Sequence, residues 1–91
     1  MPYIKPSLRR KYEPLLEELI HRLNQGGLEA DGEVNYCITR VLVGVYSQGG
    51  YWVFNRAMGV LECAKQEFYR RMIAPYEILK CKLNGDVFKD N

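Results

Sequence analysis

The densest set of reactive side chains lies in the segment GVLECAKQEFYRRMIAPYE, residues 59–77, which holds a cysteine, three carboxylates, a lysine, two arginines and two tyrosines. On a helix, Cys63 has Glu67 and Arg70 as its neighbours. The carboxylate disfavours a thiolate and the guanidinium favours it, so the sequence does not predict an activated thiol. Glu67 is also spaced to form ion pairs with Arg70 and Arg71.

Lysine, arginine and tyrosine side chains beside the apolar stripe of this segment are suited to binding an anion. Lys65 lies near the apolar side, where either its stem packs and its ammonium reaches solvent, or the cation awaits a carboxylate or a ligand anion. Tyrosine is the commonest aromatic residue, with seven copies, and together with arginine it suits stacking on bases and pairing with phosphates. We therefore predict a small anionic, nucleotide-like ligand bound by Arg9, Arg10, Lys65, Tyr69, Arg70 and Arg71.

Other chemistries find little support in the sequence. One histidine and three scattered cysteines do not supply the ligands that zinc needs. His21 lies between leucines and acids on a helix, which is typical of a partly exposed structural histidine. Neither of the two Gln-Gly-Gly stretches belongs to a phosphate-binding motif, and the acids from Glu13 to Glu18 are typical of a solvated helix face. We expect no metal, no cofactor and no enzymatic activity.

Charge is distributed unevenly, although the net charge is only +2. Residues 1–12 are basic, residues 13–33 carry six acids against Arg22 alone, and residues 34–82 are basic again. Such asymmetry can steer an anion, or let a basic face of one subunit meet an acidic face of another. It is too mild to demand a nucleic-acid partner.

Cysteine usage and hydropathy indicate the compartment. Cys37, Cys63 and Cys81 are odd in number and have no paired spacing. The start MPYIKPSLRR has no apolar run that could act as a signal peptide, and no stretch approaches a membrane span. We expect reduced thiols and a cytoplasmic location in a prokaryotic cell.

Three amphipathic segments predict an all-α fold. A short preliminary turn starting at Ser7 precedes EPLLEELIHRLNQGG, in which Pro14 suits a first helical turn. DGEVNYCITRVLVGVYSQGG opens on Asp31 as a helix N-cap. Its valines and tyrosines also favour a strand, but the spacing of its apolar residues fits a helix better.

The third segment begins near Phe54 or Asn55 and runs to Asn84 and Gly85, which form a C-cap pattern. Pro75 predicts a kink or break near residues 71–75, because proline lacks a backbone donor and clashes with the preceding turn. Gly59 inside this helix indicates close approach of another element. We predict a small bundle of three helices in one domain, residues 1–91, with a short basic N-terminal arm at residues 1–12.

Apolar side chains outside the main stripes exceed what three helices readily cover. The excess reflects either incomplete amphipathicity or a subunit interface, and we favour the interface because a chain of 91 residues buries only a modest core alone. The predicted interface residues of a homo-oligomer are Tyr36, Val43, Val60 and Ile78.

Four stretches carry a family resemblance: MPYI at the start, GEVNYCITR at 32–40, GVLECAKQEFYRR at 59–71 and PYEILKCKLNGDV at 75–87. They resemble a family of small uncharacterised proteins found in bacteriophages and in bacterial and archaeal genomes. The resemblance assigns no catalytic residue. It implies a setting, viral in some members, in which small oligomeric proteins serve as virion parts, DNA accessories or inhibitors of host defence.

Two functions follow as hypotheses. The first is a non-enzymatic, oligomeric helical binding protein, a phage-type accessory protein that sequesters a small anionic ligand. The alternative is a structural or DNA-associated accessory or assembly protein, in which the basic arm KPSLRRK contacts phosphates and apolar faces join subunits.

Overall fold

A computed structural model of the chain describes residues 1–88, all of whose regular structure is helical. The helices are α1 (Pro6–Arg9), α2 (Glu13–Leu23), α3 (Ala30–Tyr46), α4 (Tyr51–Phe68) and α5 (Ala74–Asn84), with a 3₁₀ turn at Gly27–Glu29 and a π-helical turn at Tyr69–Ile73. The predicted all-α class is confirmed. The predicted number of three helices is wrong, because residues 1–88 hold four when α4, the π-helical turn and α5 are counted as one continuous helix.

The additional helix is α1, a single turn that begins at Pro6 where the sequence predicts only a preliminary turn. Proline is favoured in a first helical turn because its missing N–H would have no intrahelical acceptor there. The same preference explains α2, whose first turn contains Pro14 and the acidic Glu13, and whose last turn contains Arg22.

A tight turn joins α2 to α3. Gly27 has φ of 59°, a backbone conformation that favours glycine. A Cβ built on Gly26 would lie 3.3 Å from the Ala30 Cα atom and 3.2 Å from the Leu23 carbonyl oxygen. The chain therefore enters α3 through the 3₁₀ turn, and Glu29 is its N-cap residue instead of the expected Asp31, which lies in the first turn.

Helix α4 begins at Tyr51, three or four residues before the predicted start. The Gly50 carbonyl accepts hydrogen bonds from the N–H groups of Val53 and Phe54, both at 3.1 Å. The helix therefore starts directly after the second Gln-Gly-Gly stretch, which leaves only a short connection from α3.

Pro75 does not break the long helix. The Ala74 N–H donates to the Tyr69 carbonyl five residues earlier, and this widened π-helical turn passes directly into α5. Widening the turn next to a proline is one way to relieve the clash with the preceding carbonyl groups. At the other end of α5, the Gly85 N–H donates to the Cys81 carbonyl at 2.9 Å, which confirms the predicted helix end.

Very little of the described chain is buried. Ala57 is the one buried residue among residues 1–88, at 8% exposure. Most large residues of the predicted apolar stripes are exposed, including Phe54 at 50%, Phe68 at 61% and Met72 at 61%. The residues expected to form a core are therefore mostly open to solvent within the described residues. Amphipathic periodicity gives each helix an apolar face but does not identify what covers that face.

Backbone contacts divide the chain into two units, Pro2–Met58 and the part from Gly59 onward. The prediction of a single domain over residues 1–91 stays a prediction, and its last three residues lie outside the described part. No helix within residues 1–88 is long and apolar enough to cross a membrane.

Candidate functional site

Tyr69 and Glu77 are joined by a hydrogen bond in which the tyrosine hydroxyl donates to the carboxylate Oε1. In a regular α-helix, residues seven apart in sequence are almost two full turns apart and lie on the same side of the helix. Residues eight apart, as Tyr69 and Glu77 are, would point in clearly different directions around the axis. The π-helical turn between them accommodates one additional residue. Glu77 therefore takes the position around the axis that the seventh residue would have in a regular helix.

This hydrogen bond changes the acidity of Tyr69. The Glu77 carboxylate accepts the hydroxyl proton and its negative charge opposes formation of a phenolate, and partial desolvation adds to both effects. The pKa of Tyr69 is raised above its ordinary value as a result. Tyr69 is therefore a hydrogen-bond donor at neutral pH.

The other predicted ligand-binding residues of this helix differ in whether a carboxylate is near them. Arg70 Nη2 contacts both carboxylate oxygens of Glu67, at 2.7 and 2.9 Å, which confirms the ion pair expected from their spacing. Lys65 Nζ lies 3.8 Å from Glu62 Oε1 with 77% of its side chain exposed, so its stem does not pack against the apolar side. Arg71 forms no ion pair within the described residues.

Arg9 and Arg10 belong to the N-terminal unit. Arg9 donates from Nε to the Ile4 carbonyl oxygen at 2.7 Å, so this guanidinium holds the N-terminal segment against the first helical turn. Arg10 is exposed. Lys11 lies over the Tyr12 ring, with Nζ 5.1 Å from the ring centroid. Arg10 thus differs from Arg9 and Lys11 in having no side-chain contact of this kind within the described residues.

The four predicted interface residues are all exposed: Tyr36 at 67%, Val43 at 53%, Val60 at 51% and Ile78 at 58%. Exposure alone does not distinguish them from exposed residues of the apolar stripes, such as Phe54 at 50% and Phe68 at 61%. Whether they form an interface stays a prediction.

A groove of about 530 Å³ lies where the C-terminal half of α2 meets the N-terminal half of α3. Leu19, Leu23 and Cys37 are half-buried, and Tyr36 adds an exposed aromatic wall. The complete set of lining residues is Leu19, Arg22, Leu23, Glu29, Gly32, Glu33, Tyr36 and Cys37.

The groove carries negative charge. Arg22 is the one cation among the described residues that line it, and Arg22 Nε already contacts Glu18 Oε1 at 2.9 Å. The carboxylates of Glu29 and Glu33 therefore face the groove without a cation to balance both of them. An apolar floor with acidic side chains suits an apolar group that carries a positive charge, and it disfavours an anion.

Sequence reasoning did not select this groove or the acceptor role of Glu77. The groove depends on the tight turn at Gly26 and Gly27, which folds the end of α2 against the start of α3. The cluster of Glu29, Asp31 and Glu33 directly after a Gly-Gly pair was the available signal. Glu77 could not be paired with Tyr69 from α-helical spacing, because the extra residue of the π-helical turn is not visible in the sequence.

The thiols differ in exposure, since Cys63 is exposed while Cys37 and Cys81 are half-buried, and all three are reduced. Desolvation raises the pKa of Cys81, and the negative charge and hydrogen bonding of Asp86 raise it further. Within the described residues, no three His, Cys, Asp or Glu side chains are grouped so that they could hold a metal ion.

A protein family described as "Domain of unknown function (DUF6899)" matches residues 1–87. The chain belongs to this family. The match covers nearly its whole length, which agrees with the resemblance to an uncharacterised family. No curated protein and no solved structure matched the chain.

Proposed function

We propose that this chain is a non-enzymatic subunit of a homo-oligomeric helical assembly, whose helices cover one another's apolar faces. The observation that carries the proposal is the contrast, within residues 1–88, between one buried residue, Ala57, and thirty large apolar or aromatic side chains that are more than a third exposed. Burying a Val, Leu, Ile, Phe or Met side chain stabilises a fold by about 1.5–3 kcal/mol. Within the single chain much of this stabilisation is not realised, because these side chains keep between 38% and all of their surface exposed.

Concentration dependence tests the proposal. Light scattering and circular-dichroism melts over a hundredfold range of protein concentration should show a discrete oligomer and a melting temperature that rises with concentration. Mass action requires this rise when the folded state is an oligomer. A monomer at every concentration, with a cooperative melt that does not depend on concentration, would remove the proposal.

We also propose that the assembly serves as an accessory protein in a phage or a prokaryotic cell, and the sequence resemblance supports this role. Sequestration of a small anionic ligand stays a prediction for the same assembly. Glu67 already neutralises Arg70, and Glu62 and Glu77 lie beside Lys65 and Tyr69, so Arg71 is the predicted ligand-binding residue of this helix that has no carboxylate partner within the described residues. Calorimetry with mono-, di- and cyclic nucleotides checks this prediction, and no heat with any of them would contradict it.

Association with DNA is the remaining alternative, and the exposed Arg10 in the basic arm is the residue that favours it. Binding of duplex DNA through the arm should weaken steeply as salt is added. If no binding is measured at low salt, assembly of protein subunits alone remains.

A further inference from the structure

Helix α5 presents a face whose chemistry is complementary to the groove between α2 and α3. Tyr76, Leu79, Lys80 and Leu83 follow the i, i+3, i+4, i+7 spacing that aligns side chains along one side of a helix. Tyr76, Leu79 and Leu83 are 58%, 52% and 67% exposed. The Lys80 ammonium lies 5.7 Å from the centroid of the Tyr76 ring and forms no ion pair within the described residues.

The groove offers the opposite surface. Its half-buried floor of Leu19, Leu23 and Cys37 is apolar, and Glu29 and Glu33 supply negative charge. Glu33 is held close to the turn, because a Cβ built on Gly26 would lie 2.7 Å from its Oε1 atom. An apolar helix face that carries one central lysine therefore matches the groove in both polarity and charge.

We propose that the groove between α2 and α3 receives the Tyr76, Leu79, Lys80 and Leu83 face of α5 from a second copy of the chain, with Lys80 paired to Glu33. The inference rests on the proposed homo-oligomer and names the surfaces that form it. A second copy is the occupant that the charges favour, because residues 13–33 carry six acids against one arginine while residues 34–82 are basic. The acidic side chains argue against an anionic small molecule at this position.

Charge reversal at each side of the contact tests the inference. Glu33→Lys and Lys80→Glu should each raise the dissociation constant of the oligomer by about tenfold or more, because each places like charges against one another. The combined variant, with both substitutions in one chain, restores opposite charges and should return the dissociation constant close to the wild-type value. Sedimentation equilibrium measures all three.

Matched controls separate this contact from a general effect of charge. Glu17→Lys changes an acid of α2 that does not line the groove, and Lys82→Glu changes a lysine on the other side of α5. Both should associate like the wild-type protein. Circular dichroism of the single variants should show that helicity lost on dissociation is recovered in the combined variant.

The possible outcomes distinguish the two proposals. Weakened single variants with recovery in the combined variant support the contact. Single variants that associate like the wild type overturn the contact and leave the homo-oligomer standing, with the groove open to another occupant. Weakening without recovery also overturns the pairing of Lys80 with Glu33. A wild-type protein that is monomeric removes the homo-oligomer and, with it, the contact.

Discussion

Tyr69 is the residue whose acidity depends most directly on the local helix geometry, because the π-helical turn brings Glu77 beside it. Its pKa is raised by Glu77, so the hydrogen bond stabilises the fold below the ordinary tyrosine pKa of about 10. That contribution is lost as the pH rises through the higher pKa of the folded state. The Tyr69–Glu77 hydrogen bond therefore stabilises the fold under neutral and mildly alkaline conditions.

We predict that Tyr69→Phe lowers the melting temperature at neutral pH, and that the difference from the wild type disappears as the pH rises above the raised pKa. Thermal melts between neutral pH and strongly alkaline pH measure this. Glu77→Gln is the matched control, because it removes the negative charge and should return the phenolate titration of Tyr69 toward its ordinary range. A difference between wild type and Tyr69→Phe that persists at the highest pH would contradict the prediction.

At the scale of elements, the turn between α2 and α3 shapes the acidic groove. Its glycine backbone conformation can be tested by substitution. Gly27 has a φ of 59°, at which a side chain is strained although nothing lies within 4 Å of a built Cβ. Gly32 lies inside α3, where a Cβ also meets nothing within 4 Å but the backbone is helical. The two glycines therefore differ in backbone conformation and not in available space.

We predict that Gly27→Ala destabilises the protein by about 1 kcal/mol. Gly32→Ala should stabilise it by up to about 1 kcal/mol, since alanine is the better helix former. Urea denaturation at fixed protein concentration measures both changes in the free energy of unfolding. Gly27→Asn is a further control and should cost less than Gly27→Ala, because asparagine adopts the left-handed conformation more readily. Equal effects of alanine at the two positions would show that this turn is not held as described.

The elements that the sequence predicted well are those set by local chemistry. Pro14, the two Gln-Gly-Gly stretches and Gly85 mark helix ends that the structure confirms, because capping and turn preferences act over a few residues. Pro75 was also a correct signal of irregular helix geometry, but its consequence was not foreseen. A proline in a helix can be accommodated by a break, a kink or a π-helical turn, and its neighbours alone do not choose among them.

Features that depend on distant packing were predicted poorly. The apolar stripes of α3 and α4 were correctly located, but most of their residues are open to solvent, because the periodicity of a helix identifies its apolar face and not what covers that face. Gly59 shows the same limit, since a Cβ there would meet nothing within 4 Å although close approach of another element was expected. The groove between α2 and α3 was missed because it needs the fold of the turn as well as the residue types.

At the scale of the whole molecule, Phe68 tests whether these open faces are covered in solution. Phe68 is 61% exposed in the single chain, so truncating it there should change stability by no more than about 0.5 kcal/mol, as for most surface substitutions. In an assembly that buries its ring, removing it should cost about 3 kcal/mol or more, the range found for phenylalanine in protein cores.

We predict the larger effect for Phe68→Ala, measured as a lower free energy of unfolding at a concentration at which the wild type is oligomeric. The loss should also appear as a weaker oligomer, because the ring stabilises only the associated state. Val87→Ala is the matched control, since Val87 is 86% exposed beyond the end of α5 and its truncation should change stability by less than about 0.5 kcal/mol. If both substitutions have equally small effects in an oligomeric protein, subunits associate through a face other than the Phe68 side of the long helix.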